Sequence, residues 1–502
     1  MEQSIAPTGY GTSVDTPTAH DNNNTPTSKI WQVITASSVG TVIEWYDFYI
    51  FGSLTPIIST LFFPKTNPVA ALLSTLALFA TGFVVRPFGA IVFGRLGDMV
   101  GRKYTFLLTL LLMGGSTFAI GLVPTYASIG LAAPFILLIL RLVQGLALGG
   151  EYGGATTYVA EHSPDKQRGY YTSFIQTTAT VGLFVSIAVI VGTRKIVGED
   201  VFKEWGWRIP FLISFFLVIA SYYIRRKLHE SPLFAQAKAK GTTSTNPLRD
   251  SFVKPENRRL VILALLGATM GQGVVWYTGQ FYAYFFLQTV LKVDLVPAST
   301  ILCIALLLAT PFFIYFGALS DRIGRKRIIM MGLLCGALFT IPIFYGMKQF
   351  AGPLTEKTSA IPATVDAAGK AVDAVPAVMV AAEPNLVALT VLVFCLVLFV
   401  TMAYGPIAAY LVELFPTKVR YTSLSLPYHI GNGIFGGLVP LISTSLVAYA
   451  SSQPDGFLKE HSIYFGLVYP VVIAAICFLY GSAKMKDIRN VKLMDEQPAA
   501  GA

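Results

Sequence analysis

The chain has 502 residues, of which 54% are hydrophobic and only 13% are charged, against about 25% charged residues in soluble domains. It has too few polar side chains to cover a water-soluble surface, so the composition excludes a soluble, disordered, fibrous or disulfide-rich protein. The formal net charge is +10, which in a soluble protein would suggest a nucleic-acid partner. Here the positions of the charges, described below, favour another explanation.

Residues 1–29 are polar and lack the apolar core of a signal peptide, so we expect a disordered cytoplasmic tail. Twelve mostly apolar segments follow, each long enough to cross a bilayer, for which about 20 residues are needed. They lie at 30–61, 69–93, 104–123, 134–160, 169–193, 207–224, 259–288, 296–319, 328–347, 386–411, 422–450 and 462–483. The sequence therefore predicts an all-α polytopic membrane protein.

The twelve segments divide into two sets of six. We expect an N-terminal half at 30–228, a cytoplasmic linker at 229–257, a C-terminal half at 258–484 and a cytoplasmic tail at 485–502. An extracytoplasmic loop at 348–384 is rich in Ala, Pro and Val, a composition that favours irregular structure.

The basic residues indicate the orientation. With both termini in the cytoplasm, about two thirds of the 37 Lys and Arg residues fall in cytoplasmic segments and about a quarter in extracytoplasmic ones. This asymmetry is typical of membrane proteins and explains the net charge without nucleic acid.

Two motifs occur once in each half. A Gly-x-Leu-x-Asp-x-x-Gly-Arg-Lys loop follows the second segment of each half, at 94–103 and again at 317–326, and Glu-x-x-Pro-x-x-x-Arg occurs at 161–168 and at 413–420. Glycine permits close helix approach, and an ion pair formed in one conformation only would bias a moving equilibrium. We predict gating residues, with a merely anchoring loop as the alternative: Gly94, Asp98, Gly101, Arg102, Glu161, Arg168, Gly317, Asp321, Gly324, Arg325, Glu413 and Arg420.

These repeated loops resemble those of the major facilitator superfamily. Further motifs resemble its metabolite:proton symporter family, which includes permeases for α-ketoglutarate, shikimate, citrate and proline/betaine. They are Glu44-Trp-Tyr-Asp47-Phe, Arg86-Pro-x-Gly, Arg141-x-x-Gln144-Gly and Trp-Gly-Trp-Arg208. The resemblance implies two six-helix repeats around a central site, and proton-coupled transport.

Charges inside the apolar segments are candidates for the transport chemistry, because a charge at mid-membrane costs roughly 2.5–3.5 kcal/mol. Glu44 and Asp47 are three residues apart and share one helical face. We predict that Asp47 carries the proton, with Glu44 and Glu151 in the same network. For each acid, permanent structural pairing is the alternative.

The predicted substrate-binding residues combine charge and aromatic character. The forked guanidinium of arginine suits carboxylates, while polar and aromatic residues at spacing four suit a cavity wall. They are Arg86, Arg141, Gln144, Arg208, Gln272, Trp276, Tyr277 and Gln280, with Tyr404, Tyr428, His429 and Asn432 as weaker candidates. Ordinary helix packing is the alternative for each of them.

No sequence feature indicates catalysis, a metal or a cofactor. The four cysteines (303, 335, 395 and 477) stand singly in apolar segments, and no phosphate-binding or metalloprotease motif is present. We predict a secondary transporter of the bacterial inner membrane, acting as a monomer on protons and a small molecule. A small carboxylate is favoured, with a zwitterionic osmolyte such as proline or betaine as the alternative and a non-transporting sensor as a third possibility.

Overall fold

The computed structural model describes residues 27–64, 68–226, 230–358, 364–365, 371–372, 378–488, 491 and 493. Described residues form a helical bundle with two short strand pairs in one loop. The predicted tail lies outside the described residues up to residue 26. Its last three residues were assigned wrongly, because the first helix already begins at Thr27.

The first six spans, as we name them, follow one another along the chain, with a short helix (Tyr126–Ile129) before span 4 and two helical segments (Glu199–Val201 and Phe202–Gly206) before span 6. Their helices are Thr27–Phe62 (span 1), Pro68–Val84 and Arg86–Met99 (span 2), Arg102–Leu122 (span 3), Ala132–His162 (span 4), Arg168–Gln176 and Thr178–Val197 (span 5), and Arg208–Arg226 (span 6). Span 2 is broken at Val85, since Pro87 lacks an N–H for the helical ladder. The break places Arg86 at the first position of a new helix.

The second six spans contain several π-helical turns. Their helical segments are Pro255–Val290 (span 7), Leu295–Ile323 (span 8), Arg325–Phe350 (span 9), Leu386–Tyr404 and Ile407–Leu414 (span 10), Arg420–His429, Ile430–Gly436 and Val439–Ser451 (span 11), and Val468–Lys484 (span 12). The π-helical turns are Leu265–Thr269, Thr278–Tyr282, Phe286–Val290 and Ile430–Gly436. Such turns insert an extra residue and are frequent at functional sites.

Apolarity and length qualify most of these helices as membrane spans. Among the described residues nine helical segments are long and apolar enough, and the bent pair Glu199–Gly206 with Arg208–Ile224 gives a tenth. The remaining two predicted spans are span 1, which carries two acids, and the broken span 2. Apolar side chains on the outer surface, such as Phe88, Phe216 and Leu479, are more than half exposed, as lipid contact requires.

The described part of the loop at 348–384 is not irregular, contrary to our expectation. Strand β1 (Leu354–Thr358) pairs antiparallel with β4 (Val378–Ala381), and β2 (Thr364–Val365) pairs with β3 (Ala371–Val372). Their β-branched residues suit a strand. The Ala381 N–H donates to the Lys292 carbonyl at 3.0 Å and fastens the loop to the bundle.

The linker contains two short capped helices, Pro232–Ala239 and Pro247–Phe252. The Asn246 side chain accepts from the Arg249 N–H at 3.2 Å, as an N-cap residue does. The Lys254 ammonium, 2.7 Å from the Asp250 carboxylate, holds the pKa of that carboxyl below its usual value.

Candidate functional site

A small cavity lies among the first four spans, and we call it the first-half cavity. The Thr117 hydroxyl donates to Asp47 Oδ2 at 2.7 Å and accepts from the Gln144 amide at 2.5 Å. Arg141 in turn donates to Gln144 Oε1 at 2.8 Å. Asp47 is therefore connected to Arg141 through two neutral side chains. The charged and amide residues of its lining are Glu44, Asp47, Arg86, Arg141 and Gln144.

Asp47 and Arg141 differ in how many of their polar atoms have interaction partners. Asp47 is 3% exposed, and its Oδ1 has no hydrogen-bond partner among the described residues. The Arg141 guanidinium lies 4.1 Å from the centre of the Phe51 ring, a cation–π contact, in addition to its bond to Gln144. Arg141 is held in place, whereas one carboxylate oxygen of Asp47 remains open.

A second small cavity lies between the two halves and is called here the central cavity. Its lining residues from the first half are Thr41, Glu44, Trp45, Arg86, Tyr152, Ile175, Gln176 and Thr178, and those from the second half are Tyr277, Tyr404, Tyr428, His429 and Asn432. Glu44 and Arg86 line both cavities. These two residues therefore form a charged boundary between the cavities.

Arg86 is a buried cation that forms no ion pair in the part of the chain that the structure describes, although Glu44 lines the same two cavities. It is 6% exposed, its Nε has no hydrogen-bond partner, and its guanidinium contacts the Phe83 ring at 4.6 Å. A buried unpaired charge is strongly unfavourable. The arrangement therefore suits an anionic ligand.

Aromatic residues order the wall of the central cavity and close one end of it. The Tyr152 and Tyr428 rings stack at 3.6 Å, and the hydroxyls of Tyr428 and Tyr404 lie 2.6 Å apart. The ring centre of Trp45, which lines the cavity, lies 5.1 Å from that of Trp276 in the second half. The halves therefore meet on this side through aromatic contacts.

At the opposite end, which we call the loop end, the first copy of the loop motif contacts the second half. The Asp98 carboxylate accepts from the Thr422 N–H at 2.8 Å and the Tyr421 N–H at 3.3 Å, at the start of span 11. A helix N-terminus favours such a negative charge. Glu161 pairs with Arg102 at 3.2 Å and with Arg420 at 2.7 Å. The first latch comprises these charged residues: Asp98, Arg102, Glu161 and Arg420.

The second copy of the loop motif makes the equivalent contacts with the first half. The Asp321 carboxylate accepts from the backbone N–H groups of Gly169 at 2.9 Å and Tyr170 at 2.8 Å. Glu413 pairs with Arg325 at 3.0 Å and with Arg168 at 2.7 Å. The second latch comprises these charged residues: Arg168, Asp321, Arg325 and Glu413.

Glycines bring the backbones together at the latches. A Cβ on Gly94 would lie 2.9 Å from Thr422 Cα, and one on Gly317 would lie 2.6 Å from the Gly169 carbonyl oxygen. Gly101 and Gly324 adopt φ values of 149° and 106°, a region that favours glycine. Each loop motif therefore needs glycine for both approach and turn.

Comparison with known proteins identifies the family. The model of the sugar (and other) transporter family matches residues 33–261. A proline/betaine transporter of Salmonella typhimurium is 32% identical, covering 94% of this chain and 86% of the relative. The alpha-ketoglutarate permease of Escherichia coli is 32% identical, with 83% and 87% covered, and the inner membrane metabolite transport protein YhjE of the same species is 34% identical, with 85% and 90% covered.

The fold of the chain agrees with these relationships. A structure of the major facilitator superfamily proton:xylose symporter XylE has a TM-score of 0.71 at 16% identity, over 93% of this chain and 98% of that one. The chain belongs to the major facilitator superfamily. It is a multi-pass membrane transporter with two six-helix repeats, as the sequence predicted, and not an enzyme.

The structure gathers part of this transporter's predicted site residues around its cavities. Arg208 lines neither described cavity, because its guanidinium donates to the carbonyls of Gly121 at 2.8 Å and Val123 at 2.7 Å. Glu151 also lines neither, and accepts from the Thr109 hydroxyl at 3.1 Å.

The predicted stripe on span 7 is divided between packing and cavity. Gln272 exchanges two hydrogen bonds with Asn432, at 2.7 and 3.3 Å, across spans 7 and 11. Trp276 and Gln280 do not line the described cavities, whereas Tyr277 does. The π-helical turn at Thr278–Tyr282 shifts the register on which the spacing of four was based.

Several contributing residues of this transporter carry no distinctive sequence signal. Thr117, Tyr152 and Gln176 are uncharged polar residues in apolar helices. The backbone N–H groups of Arg102 and Lys103 donate to the Glu230 carboxylate, at 3.2 and 3.3 Å. Glu230 lies in the linker, and its position after the sixth span is the only sequence feature that would have drawn attention to it.

Proposed function

We propose that this transporter couples proton movement to the uptake of a small carboxylate by alternating access. The observation that carries the proposal is Arg86, a buried guanidinium on the central cavity that forms no ion pair with any described residue, although Glu44 lines the same cavity. A carboxylate ligand would supply the charge and accept two parallel hydrogen bonds.

Asp47 is the proposed proton carrier. Its Oδ1 is buried and has no hydrogen-bond partner among the residues that the structure describes, while Oδ2 accepts from the Thr117 hydroxyl. A carboxyl group with one free oxygen can accept and release a proton without breaking an ion pair. Glu44 has a supporting role, since it lines both cavities.

Coupling between proton and substrate follows because Glu44 and Arg86 line both cavities. A carboxylate that binds Arg86 changes the charge balance beside Glu44, one helical turn from Asp47 on span 1. Protonation of Asp47 and binding of substrate therefore act on the same few side chains. Each ligand shifts the conformational equilibrium by its differential affinity for the two states.

The two latches are the proposed gate. All four arginines of the latches are almost fully buried, and each pairs with an acid at 3.2 Å or less. Opening the loop end requires these arginine and glutamate side chains to separate and become hydrated. We propose that halves 30–228 and 258–484 rock against each other as the latches open and close.

A zwitterionic substrate is the second candidate, and Glu44 supports it. An acid on the same cavity as Arg86, together with the rings of Trp45, Tyr152 and Tyr277, suits a cationic group through charge and cation–π attraction. The names of the relatives, a proline/betaine transporter and an alpha-ketoglutarate permease, support one candidate each.

We also propose a monomer in the bacterial inner membrane with both termini cytoplasmic. The excess of Lys and Arg in the corresponding loops supports this orientation. The loop end, including both latches, then faces the cytoplasm. One relative carries "inner membrane" in its name.

Uptake into proteoliposomes under an inward proton gradient tests the proposal. The probes are labelled 2-oxoglutarate, shikimate, proline and betaine, each with and without a protonophore. We expect protonophore-sensitive accumulation of a carboxylate. Accumulation of proline or betaine alone selects the second candidate, and no gradient-driven uptake of any probe contradicts the proposed coupling.

A further inference from the structure

His429 on span 11 is a second buried side chain of the central cavity with unused hydrogen-bonding capacity. It is 2% exposed, and neither ring nitrogen makes a hydrogen bond of ordinary geometry with the described residues, the Gly149 carbonyl being only a weak partner. A neutral imidazole has one donor and one acceptor. Leaving such a group buried and unpaired costs about 1–3 kcal/mol. A bound ligand could therefore supply the hydrogen-bond partner that the His429 imidazole lacks.

The surroundings indicate which kind of partner is missing. The backbone carbonyl of Gly149 lies near the ring, and a carbonyl can only accept. An N–H on the nitrogen nearest to that carbonyl leaves the other nitrogen as an acceptor. The missing partner is therefore a donor.

The imidazole is also held in position. The neighbouring Tyr428 ring stacks on Tyr152 and meets the His429 ring edge to face at 5.1 Å. The Tyr428 hydroxyl is occupied by Tyr404 at 2.6 Å. An oriented acceptor on the same cavity as the Arg86 guanidinium can discriminate between ligands that share a carboxylate.

We propose that His429 contacts the substrate and selects carboxylates with an N–H or O–H group next to the carboxylate. This inference rests on the proposed function: Arg86 holds the carboxylate, and His429 accepts from the adjacent donor. The favoured chemical class is an α-ammonium or α-hydroxy carboxylate.

The test measures the binding of two matched pairs of probes to the purified full chain by tryptophan fluorescence, since Trp45 lines the cavity. The pairs are L-proline with N,N-dimethyl-L-proline, and 2-hydroxyglutarate with 2-oxoglutarate. We expect the wild type to bind the donor member of at least one pair about tenfold more tightly, the equivalent of one hydrogen bond.

His429→Leu removes the acceptor and should reduce that ratio to below about twofold, since only the hydrogen bond is lost. The affinity for the member without a donor should stay nearly unchanged. His429→Gln retains an acceptor and should keep most of the preference. Arg86→Gln should weaken both members of each pair, and His461→Leu, at an exposed position, is the control without effect.

An unchanged ratio in His429→Leu, or no preference in the wild type, overturns the role of His429 alone. Failure of the wild type to bind any of the four probes overturns the proposed function together with this inference. His429→Phe provides a second variant without an acceptor if His429→Leu does not fold, as judged by gel filtration.

Discussion

The loop end and the central cavity treat buried charge in opposite ways. At the loop end Arg102, Arg168, Arg325 and Arg420 each pair with a glutamate, and both latch aspartates accept backbone N–H groups. Around the two cavities, and among the described residues, Arg86 forms no ion pair and one oxygen of Asp47 has no hydrogen-bond partner. Ion pairs within the protein stabilise one conformation, whereas a charged group without a protein partner is available to bind a ligand.

The strongest test of this contrast is Asp47→Asn. We expect loss of uphill accumulation, because the amide cannot carry a proton, while exchange of substrate across the membrane persists. Glu151→Gln is the matched control, since Glu151 lines neither cavity and is bonded to Thr109. Proteoliposome uptake with and without a gradient measures both. Normal accumulation in Asp47→Asn would remove it from the proton pathway.

The latches should give the next largest effect. Removing one partner of a buried pair costs about 3–5 kcal/mol, so Glu161→Gln and Glu413→Gln should both open the loop end. We expect faster deuterium exchange of the amides of Tyr421 and Tyr170, and a larger change in transport rate than in substrate affinity. Glu199→Gln, which breaks an exposed pair with Arg194, is the control. Unchanged exchange would contradict the gating role.

Two arginines sharpen the comparison within the first half. Arg86→Lys keeps the charge but loses the fork, and we expect affinity for the substrate to fall about tenfold or more, since charge-assisted hydrogen bonds contribute about 1.5–3 kcal/mol. Arg208→Lys should leave affinity within about twofold, because Arg208 donates only to carbonyls remote from the cavities. Equal losses in both variants would mean that Arg208 also serves the site.

The smallest effect is expected at the linker. Glu230 accepts from the first N–H groups of span 3, so Glu230→Gln should cost about 0.5–1 kcal/mol of stability. Thermal unfolding should shift by less than about 4 °C, with transport retained. A loss of transport would make Glu230 part of the first latch.

The sequence predicts the twelve spans and both latches because these depend on local patterns, apolar length and a duplicated motif. It does not predict which charged residue meets a cavity. Arg86, Arg141 and Arg208 are equivalent as intramembrane arginines, and only helix rotation and the break at Val85 decide that Arg86 alone lines both cavities. The partners of Asp47 escape prediction for the same reason, since Thr117 is one hydroxyl among many.

The glycines at the latches make the closed loop end sensitive to a single methyl group. Alanine at Gly317 would act as a wedge against the Gly169 carbonyl, and alanine at Gly94 as a wedge against Thr422. Neither change touches the cavities. Such wedges offer a way to trap the transporter with its loop end open while the substrate site keeps its chemistry, so that both states can be isolated from one chain.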